Sequence, residues 1–237
     1  MFVSIIRICS LILQIVFFMK KLFISIFFLF SFLAISSAQK SSLKLALLKY
    51  SGGGDWYSVV DALQNLVTFT NQNLNTSFQV DYATVDVGSA EIFNYPLLFL
   101  TGHGNIILSD QEAENLRNYA LAGGFILIDD DYGIDPYIRP VIKKIFPQAE
   151  LTEIPFNHPI YHQKYDFPKG LPKIHKHNDK PTQGFGIFIE GRLVCFYSFE
   201  SNISDGWESF EVHKDDQAIR LAALKMGANI IQYAFMQ

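Results

Sequence analysis

Cysteine is nearly missing from this chain. Its 237 residues include two, Cys9 and Cys195. Cys9 falls in an N-terminal apolar segment set apart from the rest, so Cys195 has no internal disulfide partner even in an oxidising compartment. The fold must stand on packing alone. Basic residues are also outnumbered, 19 Lys and Arg against 23 Asp and Glu, for a formal charge of −4. That balance denies the chain the basic footprint that a nucleic acid or an anionic membrane surface requires. No uninterrupted apolar run reaches the ~20 residues of a membrane span, and there is no internal repeat or low-complexity tract.

What is present begins with a leader. Met19, Lys20 and Lys21 precede LFISIFFLFSFLAI, a run of 14 apolar or small residues, and then Ser36, Ser37 and Ala38. This is a charged n-region, an apolar h-region within the usual ~7–15 residues and a small-residue cleavage site. Residues 1–38 are therefore expected to be a leader, with Met19 as the true start and a mature chain of residues 39–237, periplasmic or secreted. The alternative is an uncleaved leader anchoring the protein in the inner membrane, its one route to a bilayer. Cleavage removes Arg7, Lys20 and Lys21, which takes the formal charge down by three, from −4 to −7. The remainder fits one domain of ordinary size.

Strand and helix signals alternate along that domain. Residues 43–48 (LKLALL) read as a buried strand, SGGGD ends it, and Val59, Leu63, Leu66 and Val67 follow at helical spacing. Residues 78–83 alternate like a second strand, and PLLFLT at 96–101 is the continuous apolar run of a parallel strand covered on both faces. Ser109 with Glu112 predicts a capping box opening a helix whose inner face is Ala113, Leu116 and Ala120, closed by Gly123 and Gly124. Residues 125–128 form a further buried strand, and Ile138, Val141, Ile142 and Ile145 belong to a helix after Pro136. A long irregular stretch with five of the nine prolines and most of the histidines comes next. Residues 185–189 and 192–199 then predict a β-hairpin about Glu190 and Gly191. A last helix has Ile219, Ala223, Met226 and Ile230 as its inner stripe. The pattern is that of an α/β protein with a mostly parallel sheet, helices on both faces and a hairpin insertion.

Ligands in such sheets bind beyond the carboxyl ends of the strands. Three stretches fall there: residues 51–57, Gly102-His103-Gly104, and the aspartates 129–131 of GGFILIDDDYG. Asp129, Asp130 and His103 are the candidates for catalysis, and the flanking Gly102 and Gly104 would let backbone approach a ligand. The structural alternative for the aspartates is to cap the helix near Pro136 or to pair with Arg139, a role to which Asp131 is the most readily assigned. His158, His162, His175 and His177 add imidazoles, so a divalent metal is a candidate cofactor, with Asp130, His158 and His177 as its ligands. Asp205, Trp207 and Glu208 form an unusual turn in which Trp207 offers a stacking platform or a lid on the core. Cys195, on a strand without a glycine beside it, reads as a packed residue. Asn75 and Asn202 lie in N-x-S/T acceptor sequences for glycosylation.

The stretches LLFLTGHG, LSDQEAENLRNYALAGGFILIDD, HPIY, LPKIHKHND, SDGWE and ALKMGANIIQYA together resemble the bacterial family called domain of unknown function 4159, over essentially the whole mature chain. That resemblance implies a flavodoxin-like three-layer sandwich similar to class I glutamine amidotransferases, in which a cysteine nucleophile sits on an elbow after a buried strand. It matches residues 98–104 with the oxyanion turn and residues 125–130 with the strand entering the elbow. The elbow here is Asp129-Asp130-Asp131-Tyr132-Gly133, with neither cysteine nor serine, and a carboxylate cannot run thiolate acyl transfer. The resemblance therefore implies the fold and the place of the site, not that activity.

The expected function is binding of a small polar or carbohydrate-like ligand, in which Asp129 and Asp130 accept hydrogen bonds, His103 donates, His175, His177, Asp205 and Glu208 line the cleft, and Trp207 stacks. One alternative is an Asp/His-dependent hydrolase, with or without a metal. The other is a non-catalytic envelope assembly protein. No nucleic acid is expected as a partner, and the sequence sets no oligomeric state.

Overall fold

The computed structural model describes residues 18–21, a single helical turn, and residues 43–237, an α/β unit. Apart from that turn, the expected leader and its cleavage site lie outside the described residues. Among the described residues no helix is long and apolar enough to cross a membrane.

In chain order the unit contains β1 (Ala46–Lys49), α1 (Ala62–Leu74), β2 (Ala83–Asp86), β3 (Leu97–Leu100), α2 (Asp110–Leu121), β4 (Phe125–Asp129) and α3 (Asp135–Ile145). It continues with β5 (Thr152–Glu153), β6 (Gln183–Ile189), β7 (Arg192–Phe199), α4 (Phe210–His213) and α5 (Gln217–Met236). The strands make one sheet in the order β2-β1-β3-β4-β7-β6-β5. The first five in that order run parallel, whereas β6 and β5 are added antiparallel. This fits a flavodoxin-like α/β fold.

Two apolar layers explain why the sheet needs no disulfide. Side chains alternate across a strand, so Ala46, Leu48, Leu98, Leu100, Ile126 and Ile128 pack on one face, against α2 and α3. Leu45, Leu47, Leu97, Phe99, Phe125 and Leu127 pack on the other, against α1 and α5. Each of the Leu, Ile and Phe side chains among them, fully buried, contributes ~1.5–3 kcal/mol. Cys195 belongs to the first face, buried on β7, and burial pushes its thiol far above the ordinary range. It is a packing residue.

The capping box forms as its spacing predicts: the Ser109 hydroxyl accepts from the Glu112 N–H at 3.2 Å, and the Glu112 carboxylate accepts from the Ser109 N–H at 2.6 Å. The second strand lies later than the alternation of residues 78–83 suggests. Phe78 is held from α1 instead: the Asn71 amide donates to its carbonyl and accepts from its N–H, each at 2.9 Å. Pairing with β1 begins only at Ala83.

Candidate active site at the strand switch point

The chain runs from β1 to β2 on one side and returns to β3 on the other, so strand order reverses between β1 and β3. Crevices form at such reversals, and here the loops after β1 and β3 meet. Ser51 bridges to Ile107, and the Tyr50 hydroxyl donates to the carbonyls of Gly54 (2.7 Å) and Thr101 (2.9 Å). Gly102 is required by this closure. It has φ +144°, and a Cβ there would lie 2.0 Å from the Gly54 carbonyl oxygen. Gly102 thus serves the packing of two loops, whereas a Cβ at Gly104 would meet only ordinary contacts; the His103 amide donates to Gly54 O (3.1 Å) and Asp55 Oδ1 (2.8 Å) rather than facing a ligand.

The same approach orients the His103 ring, half-exposed at 49 %. Its Nδ1 lies 3.0 Å from Asp55 Oδ2, and its Nε2 faces Asp131 Oδ1 at 3.6 Å. Asp131 in turn accepts from the Ser58 hydroxyl (3.0 Å) and the Asn202 amide (3.4 Å). It also shares a hydrogen bond with Asp205. Burial, then the charges of Asp205 and Asp129, push Asp131 up to about 9. Burial works the same way on Asp205, but hydrogen bonds from His175 and Asp131 outweigh it and hold that carboxylate below its usual value. Two adjacent buried carboxylates cannot both ionise cheaply; one proton stays on Asp131.

The three consecutive aspartates therefore part ways. Asp129 is fully buried and accepts from the Ser198 hydroxyl (2.5 Å), Ile203 N–H (3.2 Å), Ser204 N–H (2.8 Å) and Ser204 hydroxyl (2.6 Å). Burial raises it to about 6, and the three donors from Ile203 and Ser204 fasten the loop after β7. Asp130 points to the opposite face, where it accepts from the Glu200 N–H at 3.1 Å beside the start of α3. Both oxygens of Asp129 are taken up by protein donors, whereas Asp130 Oδ1 is buried without a hydrogen-bond partner. The member that the sequence assigns to capping, Asp131, is the one at His103, while Arg139 pairs with Asp135 at 2.6 Å.

The loop at 171–180 is pinned to the end of β7. Ile174 N–H donates to Ser201 O (3.0 Å), and Glu200 accepts from Lys173 (3.2 Å) and Asn178 (2.9 Å). This sets His175 between two carboxylates, Nδ1 2.8 Å from Asp205 and Nε2 3.0 Å from Asp215. The Asp205 hydrogen bond leads in raising His175 to about 9. His177 stacks on exposed Tyr132, centroids 4.1 Å apart, and Tyr132 holds a left-handed φ of +54° that turns it outward. Glu208 meets His213, the last residue of α4, at 2.7 Å.

Trp207 is not a platform. It is fully buried, donates its indole N–H to Ala223 O at 2.9 Å and packs on Phe99. His158 lies among Phe188 and Tyr233, so it does not join Asp130 or His177, and these three do not assemble a metal site. Asn202 is buried and unavailable as a glycosylation acceptor. The residues that sequence reasoning missed are Asp55, Ser58, His213 and Asp215. Asp55 ends the glycine loop, and HKDD at 213–216 places the histidine beside a carboxylate run read only as the start of α5.

Residues 44–235 match the family described as "Domain of unknown function (DUF4159)". No curated protein matches the chain.

Proposed function

Since the chain belongs to the DUF4159 family, whose description assigns no activity, we propose a function from the site itself: hydrolysis of a small, neutral, polar substrate such as a carbohydrate derivative. The carrying observation is the His103 ring, backed by Asp55 on Nδ1 and open on Nε2. With the hydrogen on Nδ1, Nε2 takes a proton from a water molecule as its oxygen attacks the substrate. Asp55 stabilises the imidazolium, which then gives that proton to the leaving group. Water is divided between the two products and the ring is restored.

Asp131 supports this chemistry by staying neutral. Burial and contact with Asp205 disfavour its ionisation, so no carboxylate charge stands in front of Nε2. The acidic surroundings, Asp55, Asp205, Asp215 and Glu208, repel anions and favour neutral polyols. Stacked Tyr132 and His177 provide the aromatic surface expected of Trp207. The leader motif at residues 19–38 supports a substrate outside the cytoplasm.

A panel of p-nitrophenyl glycosides and acetylated sugars tests the proposal. Turnover of at least one, lost in His103→Gln, supports it. Binding of a sugar without turnover of any would assign the cleft to ligand capture instead.

A further inference from the structure

We propose that His175, Asp205 and His213 form a binding site for one divalent transition-metal ion of the zinc class, with Glu208 as the fourth ligand. One ligand atom from each of the first three lies within 4.8 Å of the others. His175 Nδ1 stands 2.8 Å from Asp205 Oδ2, and His213 Nε2 stands 3.7 Å from Asp205 Oδ1 and 2.7 Å from Glu208 Oε2. Around a tetrahedral zinc ion with bonds near 2.0 Å, neighbouring ligand atoms lie roughly 3.3 Å apart. Shifts of about half an ångström within these side chains are enough to admit the ion.

Two further features point to a metal rather than to ordinary ion pairs. First, His175 Nε2 is held by both oxygens of Asp215, at 3.0 and 3.1 Å. A carboxylate on the far ring nitrogen fixes the tautomer that turns the Nδ1 lone pair inward, the usual support of a metal-bound imidazole. Asp131, hydrogen-bonded to Asp205, supplies the matching support for the carboxylate ligand. Second, Asp205 and Glu208 are both buried, at 7 % and 2 %, while the rings of His175 and His213 converge with centroids 5.0 Å apart. A divalent ion neutralises both carboxylates and leaves both rings uncharged.

The donor set of two imidazoles and two carboxylates suits zinc-class ions better than calcium or magnesium, which take oxygen ligands. His213 and His175 keep partial exposure, 31 % and 21 % of their side chains, which leaves a path for the ion. The ligands differ from those the sequence suggests, because Asp205, Glu208 and His213 come from one turn and α4 while His175 comes from a loop fastened by β7. The site shares Asp205, Glu208 and Asp131 with the surroundings of His103, but its test reads metal binding, so its failure and that of the hydrolytic reading are distinguishable.

The test is titration of chelator-treated protein with zinc chloride by calorimetry and with cobalt chloride by visible absorption. One equivalent binds, and cobalt gives the intense bands of a tetrahedral site. His213→Gln and Asp205→Asn each weaken zinc binding at least tenfold, Asp215→Asn weakens it about tenfold, and His158→Gln leaves it unchanged. Circular dichroism reports folding of each variant. Wild-type zinc affinity equal to that of a folded His175→Gln/His213→Gln double variant overturns the proposal. So does a wild-type protein that binds no cobalt, whatever the variants do.

Discussion

His103 Nε2 and Asp131 Oδ1 stand 3.6 Å apart, beyond hydrogen-bond reach, while the other nitrogen of the ring is held by Asp55 at 3.0 Å. The ring is thus fixed on one side and open on the other. Burial and neighbouring carboxylates favour a neutral Asp131 beside that open nitrogen, and its neutrality is measurable.

Burial and the charges of Asp205 and Asp129 raise Asp131 to about 9, whereas in an unfolded chain it titrates near ~4. Between those values the folded protein holds a proton that the unfolded chain has lost, so this group's contribution to stability falls as pH rises from ~4 to ~9 and is level above. Asp131→Asn removes that decline. In metal-free protein the variant should melt several degrees above wild type at pH 8, with the gap closing towards pH 4. Thermal unfolding across that range checks it, and a gap independent of pH would contradict it.

Asp129→Asn should destabilise. In either orientation the amide NH₂ would meet a backbone N–H, that of Ile203 or that of Ser204, which cannot accept from it. Leaving such groups unsatisfied in the interior costs about 2–4 kcal/mol. Urea denaturation measures it; a loss under ~0.5 kcal/mol would mean that the loop after β7 is held by other contacts.

Asp130→Asn should be tolerated. The amide oxygen can still accept from the Glu200 N–H, and removal of a carboxylate raised chiefly by burial offsets the rest, for a net gain of up to ~1 kcal/mol. Zinc affinity should not change. Destabilisation by several degrees, or weakened zinc, would place Asp130 in the site.

Cys195 should resist maleimide labelling in the folded protein and react on addition of urea, since it is 1 % exposed with its thiol pushed up by burial. Cys195→Ala should cost about 1 kcal/mol. Rapid native labelling would show that the β7 face opens.

Strands β3, β4 and β7 and helices α2 and α3 were legible because both faces of the sheet are covered, and continuous apolar runs and a capping box record that directly. β2 was not: it is a four-residue edge strand, and Phe78, which fits the alternation, has its backbone held by Asn71 of α1 and its ring packed in the layer with α1 and α5. For the site, the strand ends were legible but the choice among three aspartates was not. Alternation separates Asp129 from Asp130, yet Asp131 lies past the strand, where its direction is set by Ser58 and Asn202, each more than 70 positions away. His175, Asp205 and His213 share no period at all. They converge because Glu200 and Ser201 fasten one loop while Asp129 fastens the other.

The most direct test is the kcat/KM of His103→Gln beside that of Asp130→Asn, on the p-nitrophenyl substrate that wild type turns over best. Loss of a general base costs roughly 10²–10⁴-fold. The proposed general-base role predicts a fall of that size for His103→Gln, with the fold intact, and Asp130→Asn within about threefold of wild type. Activity of His103→Gln equal to that of wild type, or an equal fall in both variants, would contradict it.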